Sequence, residues 1–254
     1  MRLRTVPGIL HSMPRANRYL VGGHTYHVTH RCHDRTFLLK FAKDRNYYRK
    51  WLRAGLKRFP VSLLGYCVTS NHVHLVLHAE SDEAVSDLMQ LVEGSMAQQY
   101  NLRKGRRGAY WEGRYHATMI DSGRYLWDCL RYVDLNMVRA GKVRHPSEWE
   151  WCGYRELMGL RQRFCVLDTD RLLEQIGGGD LEEFRSRYEA HVEKRLAGGT
   201  DQREGRWTET IAVGRVEFVQ EISKHLGHRR ELAVEEEEPG SGCWTLKEGS
   251  VPYS

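Results

Sequence analysis

Residues 61–78 constrain the fold more than any other stretch of the chain. Val61 to Val68 is a short apolar run, Thr69-Ser70-Asn71 supplies turn chemistry, and His72 to His78 alternates, so the stretch predicts a β-hairpin. Strand period puts His72 and His74 on one face and Val73, Leu75 and Leu77 on the other, core-facing side. The flanks complete a recognisable order. His24 to Arg31 is rich in β-branched and aromatic residues and reads as a strand. Phe41 to Phe59 places Tyr48, Trp51, Leu52 and Leu56 near helical spacing and ends at Pro60, predicting a helix that carries Lys43, Arg45, Arg49, Lys50, Arg53, Lys57 and Arg58. Asp82 to Leu102 is helical by period, with Leu88, Leu91 and Met96 as its inner stripe. A basic loop follows, then a strand from Arg114 to Ile120, and a helix capped by Ser122 that runs to about Ala140 and closes at Gly141.

The predicted order is β-α-β-β-α-β-α. It defines an α+β fold, a ferredoxin-like split βαβ antiparallel sheet with one added helix. Residues 161–254 differ in kind, with Gly177-Gly178-Gly179, Gly198-Gly199, a helical stretch near Leu181 to Leu196 and the acidic run Glu235 to Glu238. They read as a small helical extension over 161–233 and an acidic, loosely ordered tail over 234–254.

Composition narrows the function classes. The longest apolar runs, such as Val73 to Leu77, are far too short to span a bilayer, and residues 1–20 lack the apolar core of a secretory signal. The six cysteines are scattered with no C-x-x-C pair, which suits reduced thiols, so a cytoplasmic location is expected. Residues 1–160 hold 25 Lys+Arg against 14 Asp+Glu, a net of +11, while the remainder carries −5 of the overall +6. A basic front section with an acidic back section suits a polyanion partner for the front, or a solvated basic surface. With a polyanion bound, the loop residues Arg103, Lys104, Arg106 and Arg107 are expected to hold its backbone, with salt-dependent affinity.

Two clusters could carry chemistry. His72 and His74, neighbours on one strand face, could share a divalent ion or be a surface pair. On the last helix Leu126, Leu130, Val133 and Met137 form a narrow core stripe, and Tyr132, Asn136 and Arg139 fall on the adjacent one. A phenol, an amide and a guanidinium there could be structural; they are also parts that phosphoryl transfer requires.

Five ordered segments over roughly residues 13–157 carry a resemblance. Val68-Thr-Ser-Asn-His-Val-His-Leu-Val76 resembles the HUH segment of single-tyrosine transposases, commonly M-P-N-H-V-H-L-L. Arg131-Tyr-Val-Asp-Leu-Asn-Met-Val-Arg-Ala-Gly141 is similar to their R-Y-I-x-x-N-P-V-R-A-G helix end. Tyr26-His-Val-Thr-His-Arg31 resembles their Y-H-V-T-x-R first strand, Trp111-Glu-Gly-Arg-Tyr115 their W-x-x-R-Y segment, and Glu148 to Tyr154 their closing W-S-S-Y segment. Within that family the chain most resembles the REP-associated tyrosine transposases, which act on hairpin-forming repeats. Met13 to Arg18 looks like a family start, which makes residues 1–12 an N-terminal extension and residues 13–160 a nuclease domain.

The resemblance implies Tyr132 as nucleophile, with Tyr115 its rival, and His72, His74 and Asn136 as ligands of Mg²⁺ or Mn²⁺. It implies single-stranded or hairpin DNA as partner, held also by Arg31, Arg114 and Arg139, and a location on the nucleoid when bound. A hairpin-binding protein that does not cut, and a metallohydrolase that uses water, stay open, as does the choice between monomer and dimer. Two positions depart from the family pattern. Ser70 replaces the proline before Asn-His, and Met137 replaces the proline after Asn136; neither change removes a chemical group.

Overall fold

The structure, a computed structural model, describes residues 19–199, 203–227 and 232–249. The N-terminal extension 1–12 and the family-like start Met13 to Arg18 lie outside the described residues. The strands are β1 (His24–Arg31), β2 (Val61–Val68), β3 (His72–Ala79), β4 (His116–Ile120), β5 (Ala212–Gly214), β6 (Leu232–Glu236) and β7 (Trp244–Glu248). The helices are α1 (Ala42–Leu56), α2 (Ala84–Lys104), α3 (Arg124–Asp134), α4 (Asn136–Arg139), α5 (Tyr154–Leu157), α6 (Thr169–Gln175), α7 (Leu181–Ala197) and α8 (Val216–Leu226).

One seven-stranded sheet runs β2-β3-β1-β4-β5-β7-β6. Its first four strands are the expected split βαβ core, antiparallel throughout. Tyr48, Leu52, Leu88 and Met96 of α1 and α2 pack on one face together with Val73, Leu75 and Leu77. The other face takes α3 through Leu126, Leu130, Val133 and Met137, all buried as the helical stripe predicts. Gly65 allows the close approach, since a Cβ there would stand 2.5 Å from Leu130 Cδ2.

The expected single helix from Ser122 to Ala140 is instead two. Ser122 does not cap the first of them: its N-cap is Gly123, with no side-chain capping bond, and Asp121 takes the Ser122 amide just ahead of it at 2.9 Å. Leu135 leaves helical geometry at φ −79° and ψ 3°, so α4 begins afresh at Asn136. The break precedes Met137, and that residue is buried in the core like its stripe partners. At the other departure, Thr69 Oγ1 accepts the amides of Asn71 (3.3 Å) and His72 (3.0 Å), so a hydroxyl holds the turn that proline stiffens elsewhere.

The reading of 161–254 as an appended helical unit with a loose tail misses three strands. β5 adds to the edge of β4 in parallel, β7 and β6 follow antiparallel, and the segment expected to be loose supplies both of the last two. The acidic run hid this: Glu235 and Glu236 are strand residues, and Glu235 pairs with Lys247 across the ladder at 2.8 Å. Leu172, Phe184, Tyr188 and Trp207 complete the core on the α3 side. Cutting the chain after residue 160 is therefore expected to remove more than about 5 kcal/mol, comparable to the whole stability of a domain. A cooperative thermal transition at the full-length temperature would contradict this.

Asp134 ties α3 to α7. Its carboxylate accepts the Tyr188 hydroxyl at 2.7 Å and faces Cys152 Sγ at 3.0 Å. Burial pushes its pKa up from 3.8 to about 6, against the hydrogen bonds from Cys152 and Tyr188 that lower it. Folding thus favours the protonated acid. The contribution, roughly 3 kcal/mol, is complete below about pH 4 and is lost as pH rises through 6. Asp134→Asn should flatten the fall in melting temperature between about pH 4 and 6.5 relative to wild type; an unchanged slope would remove Asp134 as its source.

Candidate active site

The sheet register assembles the site. Arg31 lies opposite His72, Thr29 lies opposite both His74 and His116, and His27 lies opposite Thr118, so all of these share the α3 face. That face is covered, which disfavours the surface-pair alternative: His74 is 3% exposed and His27 fully buried. A cleft of about 490 Å³ opens over it, lined among others by His72, His74, Tyr132, Asn136, Arg31, Arg114 and Arg139. Residues from β1, β3, α3 and α4 that sequence spacing could only pair locally thus meet in one concavity.

Ring nitrogens are aimed consistently. His72 Nδ1 lies 2.8 Å from Asn71 Oδ1, an acceptor, so it carries the proton and leaves Nε2 bare. His74 Nε2 takes a hydrogen bond from Asn136 Nδ2 at 2.9 Å. Burial, then Arg31 and Arg139, hold the His72 pKa down at about 4. Burial, then His72 and His27, hold His74 well below its ordinary value. Both rings are neutral at physiological pH and present lone pairs.

Among the described residues no group of three His, Cys, Asp or Glu is placed to hold a metal. The convergent donor set here is two imidazoles and one amide. It fits a divalent cation, because the Asn136 amide donates to the His74 Nε2 lone pair, and turning that amide would present Oδ1 instead.

Tyr132 is the phenol of the cleft. Its ring lies 5.8 Å from His27, 6.0 Å from His74 and 6.2 Å from Trp207 by centroid. The Arg139 guanidinium sits over it at 4.0 Å and donates to the Tyr132 carbonyl at 2.7 Å. Burial raises the phenol pKa, and Arg139 is the largest opposing influence. Tyr115 is on the other side of the sheet, in the core beneath α2, where its hydroxyl meets Ser86 Oγ at 3.1 Å.

The expected DNA-contacting cations divide. Arg31, Arg114 and Arg139 line the cleft. Arg103 is committed to Asp44, and Arg106 to Asn101 Oδ1 (3.0 Å) and the Ala109 carbonyl (2.8 Å), so both shape the loop. Lys104 and Arg107 stay exposed. On α1, Arg45 is likewise structural, bonding the Leu39 and Lys40 carbonyls at 2.9 Å each.

The cleft also contains residues that sequence reasoning passed over. Glu112 stands in the Trp111 to Tyr115 segment and so carried a signal; His27 does not line the cleft but lies buried behind His74. Arg203 and Thr208 line the cleft from the C-terminal section, where no pattern marked them.

Residues 20–136 match the sequence profile of the family described as transposase, IS200-like. Among solved structures, the chain is similar to a REP-associated tyrosine transposase bound to a REP hairpin, at 20% identity and a TM-score of 0.50, over 61% of this chain and 93% of that one. It also matches a Deinococcus radiodurans R1 protein described as a transposase, at 17% identity and a TM-score of 0.30, over 41% of this chain and 82% of that one. The first likeness establishes the shared α+β fold. No curated protein matches the chain.

Proposed function

We propose that the protein is a member of the IS200-like transposase family, whose profile residues 20–136 match, and that it cleaves and rejoins single-stranded, hairpin-forming DNA through a 5′-phosphotyrosine at Tyr132. The observation that carries this reading is the shared cleft, in which one phenol, two neutral imidazole lone pairs and four arginines face the same space. Hairpin DNA is taken as the substrate class because the similar solved transposase was bound to a REP hairpin.

In this reading Arg31 and Arg114 hold the backbone phosphates that flank the scissile one, and Arg139 offsets charge developing on the phenol it covers. The Tyr132 oxygen attacks phosphorus, the P–O3′ bond breaks, and the phenolic proton ends on the released 3′-oxygen. One phosphodiester replaces another, so the 3′-hydroxyl of a second strand can reverse the step. His72, His74 and Asn136 would hold a divalent ion, Mg²⁺ or Mn²⁺, which supplies Lewis-acid polarisation of the scissile phosphate. The catalytic unit extends past residue 160, because Arg203 and Thr208 line the same cleft.

Incubating the full chain with end-labelled hairpin oligonucleotides and Mg²⁺ tests the reading. A denaturation-resistant protein–DNA adduct is expected. Binding without cleavage would leave a hairpin-binding protein, and cleavage without adduct a hydrolase.

Asn136→Ala is expected to raise the Mn²⁺ concentration needed for cleavage by about 10–100-fold, the scale on which supporting groups act on metal sites. The two histidines and water still hold the ion, so the maximal rate should survive. Superimposable Mn²⁺ titrations of wild type and variant would remove Asn136 from the site.

A further inference from the structure

His27 lies behind His74 and touches nothing in the chemistry assigned above. It is fully buried, and its two ring nitrogens bridge two distant parts of the chain. Nδ1 stands 2.7 Å from the Trp207 carbonyl, and Nε2 stands 2.9 Å from His74 Nδ1. The two imidazoles lie within 6° of parallel. A carbonyl can only accept, so the His27 proton sits on Nδ1. Asn136 Nδ2 donates to His74 Nε2, so the His74 proton sits on Nδ1 and His27 Nε2 meets it as a lone pair. That lone pair takes the proton of His74 Nδ1, and the tautomer of His74 follows: protonated at Nδ1, bare at Nε2, which is the nitrogen facing Asn136 and the cleft.

We propose that His27, anchored on the Trp207 carbonyl, is a positioning residue that locks His74 with Nε2 open toward a divalent cation. The proposal rests on the reading of His74 as a ligand. A metal-bound histidine generally donates its other N–H to an oriented acceptor, and here a second histidine is that acceptor, itself oriented by a backbone carbonyl. The anchor explains a contribution of the C-terminal section. Trp207 lies beyond the residues matched by the family profile, is 1% exposed, and is held by its own Nε1–H to Glu204 Oε2 at 2.9 Å. The Thr210 carbonyl, accepting from Thr118 Oγ1 at 2.8 Å, pins the same segment to β4. Placing the acceptor thus requires the segment that leads into β5, and without it the tautomer of His74 is not fixed.

Two measurements on the full chain test this. Long-range ¹H–¹⁵N spectra of the metal-free protein should show His74 with a bare Nε2 in wild type, and tautomer averaging in His27→Leu, whose side chain accepts nothing. His74 protonated at Nε2 in wild type, or a spectrum unchanged by His27→Leu, would overturn the relay. Mn²⁺ affinity, read from the free-ion paramagnetic resonance signal, should fall about 10–100-fold in His27→Leu. It should recover largely in His27→Gln, whose amide oxygen can accept from His74. Unchanged affinity with a released tautomer would overturn the positioning role. If His74→Ala itself leaves Mn²⁺ affinity unchanged, the ligand reading fails, while the spectra still decide the relay. If His27→Leu does not fold, the wild-type spectrum and His27→Gln carry the test.

Discussion

Tyr132→Phe is expected to abolish the covalent protein–DNA adduct while DNA binding and thermal stability stay near wild type. The substitution deletes one hydroxyl and keeps the ring that packs on Trp207, His27 and the Arg139 guanidinium. No described residue hydrogen-bonds that hydroxyl, so its loss strands no buried partner. The expected rate loss is on the scale of about 10⁶-fold, as when other covalent catalysts lose their nucleophile. A denaturing gel with labelled oligonucleotide reads adduct, and a salt-controlled mobility shift reads binding. An adduct formed by the Phe variant would overturn the assignment. Tyr115 could not then be invoked simply, since it is buried beneath α2 with its hydroxyl on Ser86. Among the described residues, the hydroxyls left in the cleft are those of Thr29 and Thr208.

The four-stranded core and its two principal clusters were legible because local periods record them. Alternation in His72–His78 gives the face of β3, and the Leu126-Leu130-Val133-Met137 stripe gives the buried side of α3. The adjacent stripe then points Tyr132, Asn136 and Arg139 at whatever lies over that face. Sequence order could not show that the two faces meet, because that depends on close approach at Gly65. The basic loop illustrates a second limit. Charge identifies Arg103 and Arg106 as cations, but only geometry shows that Asp44 and Asn101 already occupy them. The C-terminal strands were missed for a third reason. Three- and five-residue strands next to glycines and glutamates fall below the length at which alternation is readable, and the first of them, β5, takes its partner β4 from more than 90 residues earlier in the chain.

His72→Ala and His74→Ala are both expected to abolish adduct formation, and chelation by EDTA should do the same to wild type, with added Mg²⁺ or Mn²⁺ restoring it. The two variants should differ in stability, and the difference follows from their surroundings. His72 is half-buried, and its Nδ1 partner, Asn71 Oδ1, sits in a turn that water can reach, so the alanine costs little beyond the ligand. His74 is enclosed, and its removal leaves His27 Nε2 without a donor and Asn136 Nδ2 without its acceptor. The orphaned His27 nitrogen, fully buried, costs about 1–3 kcal/mol, so His74→Ala should also melt several degrees lower. His72→Ala is therefore the cleaner test. Protons do not compete for its ring near neutrality, because burial holds the His72 pKa at about 4. A pH profile of cleavage between 6 and 8 consequently should not reflect ligand protonation. Adduct formation by His72→Ala at the wild-type rate would detach the histidine pair from the chemistry, and full activity in chelator would leave the Tyr132 phenol and the arginines of the cleft to act without a cation.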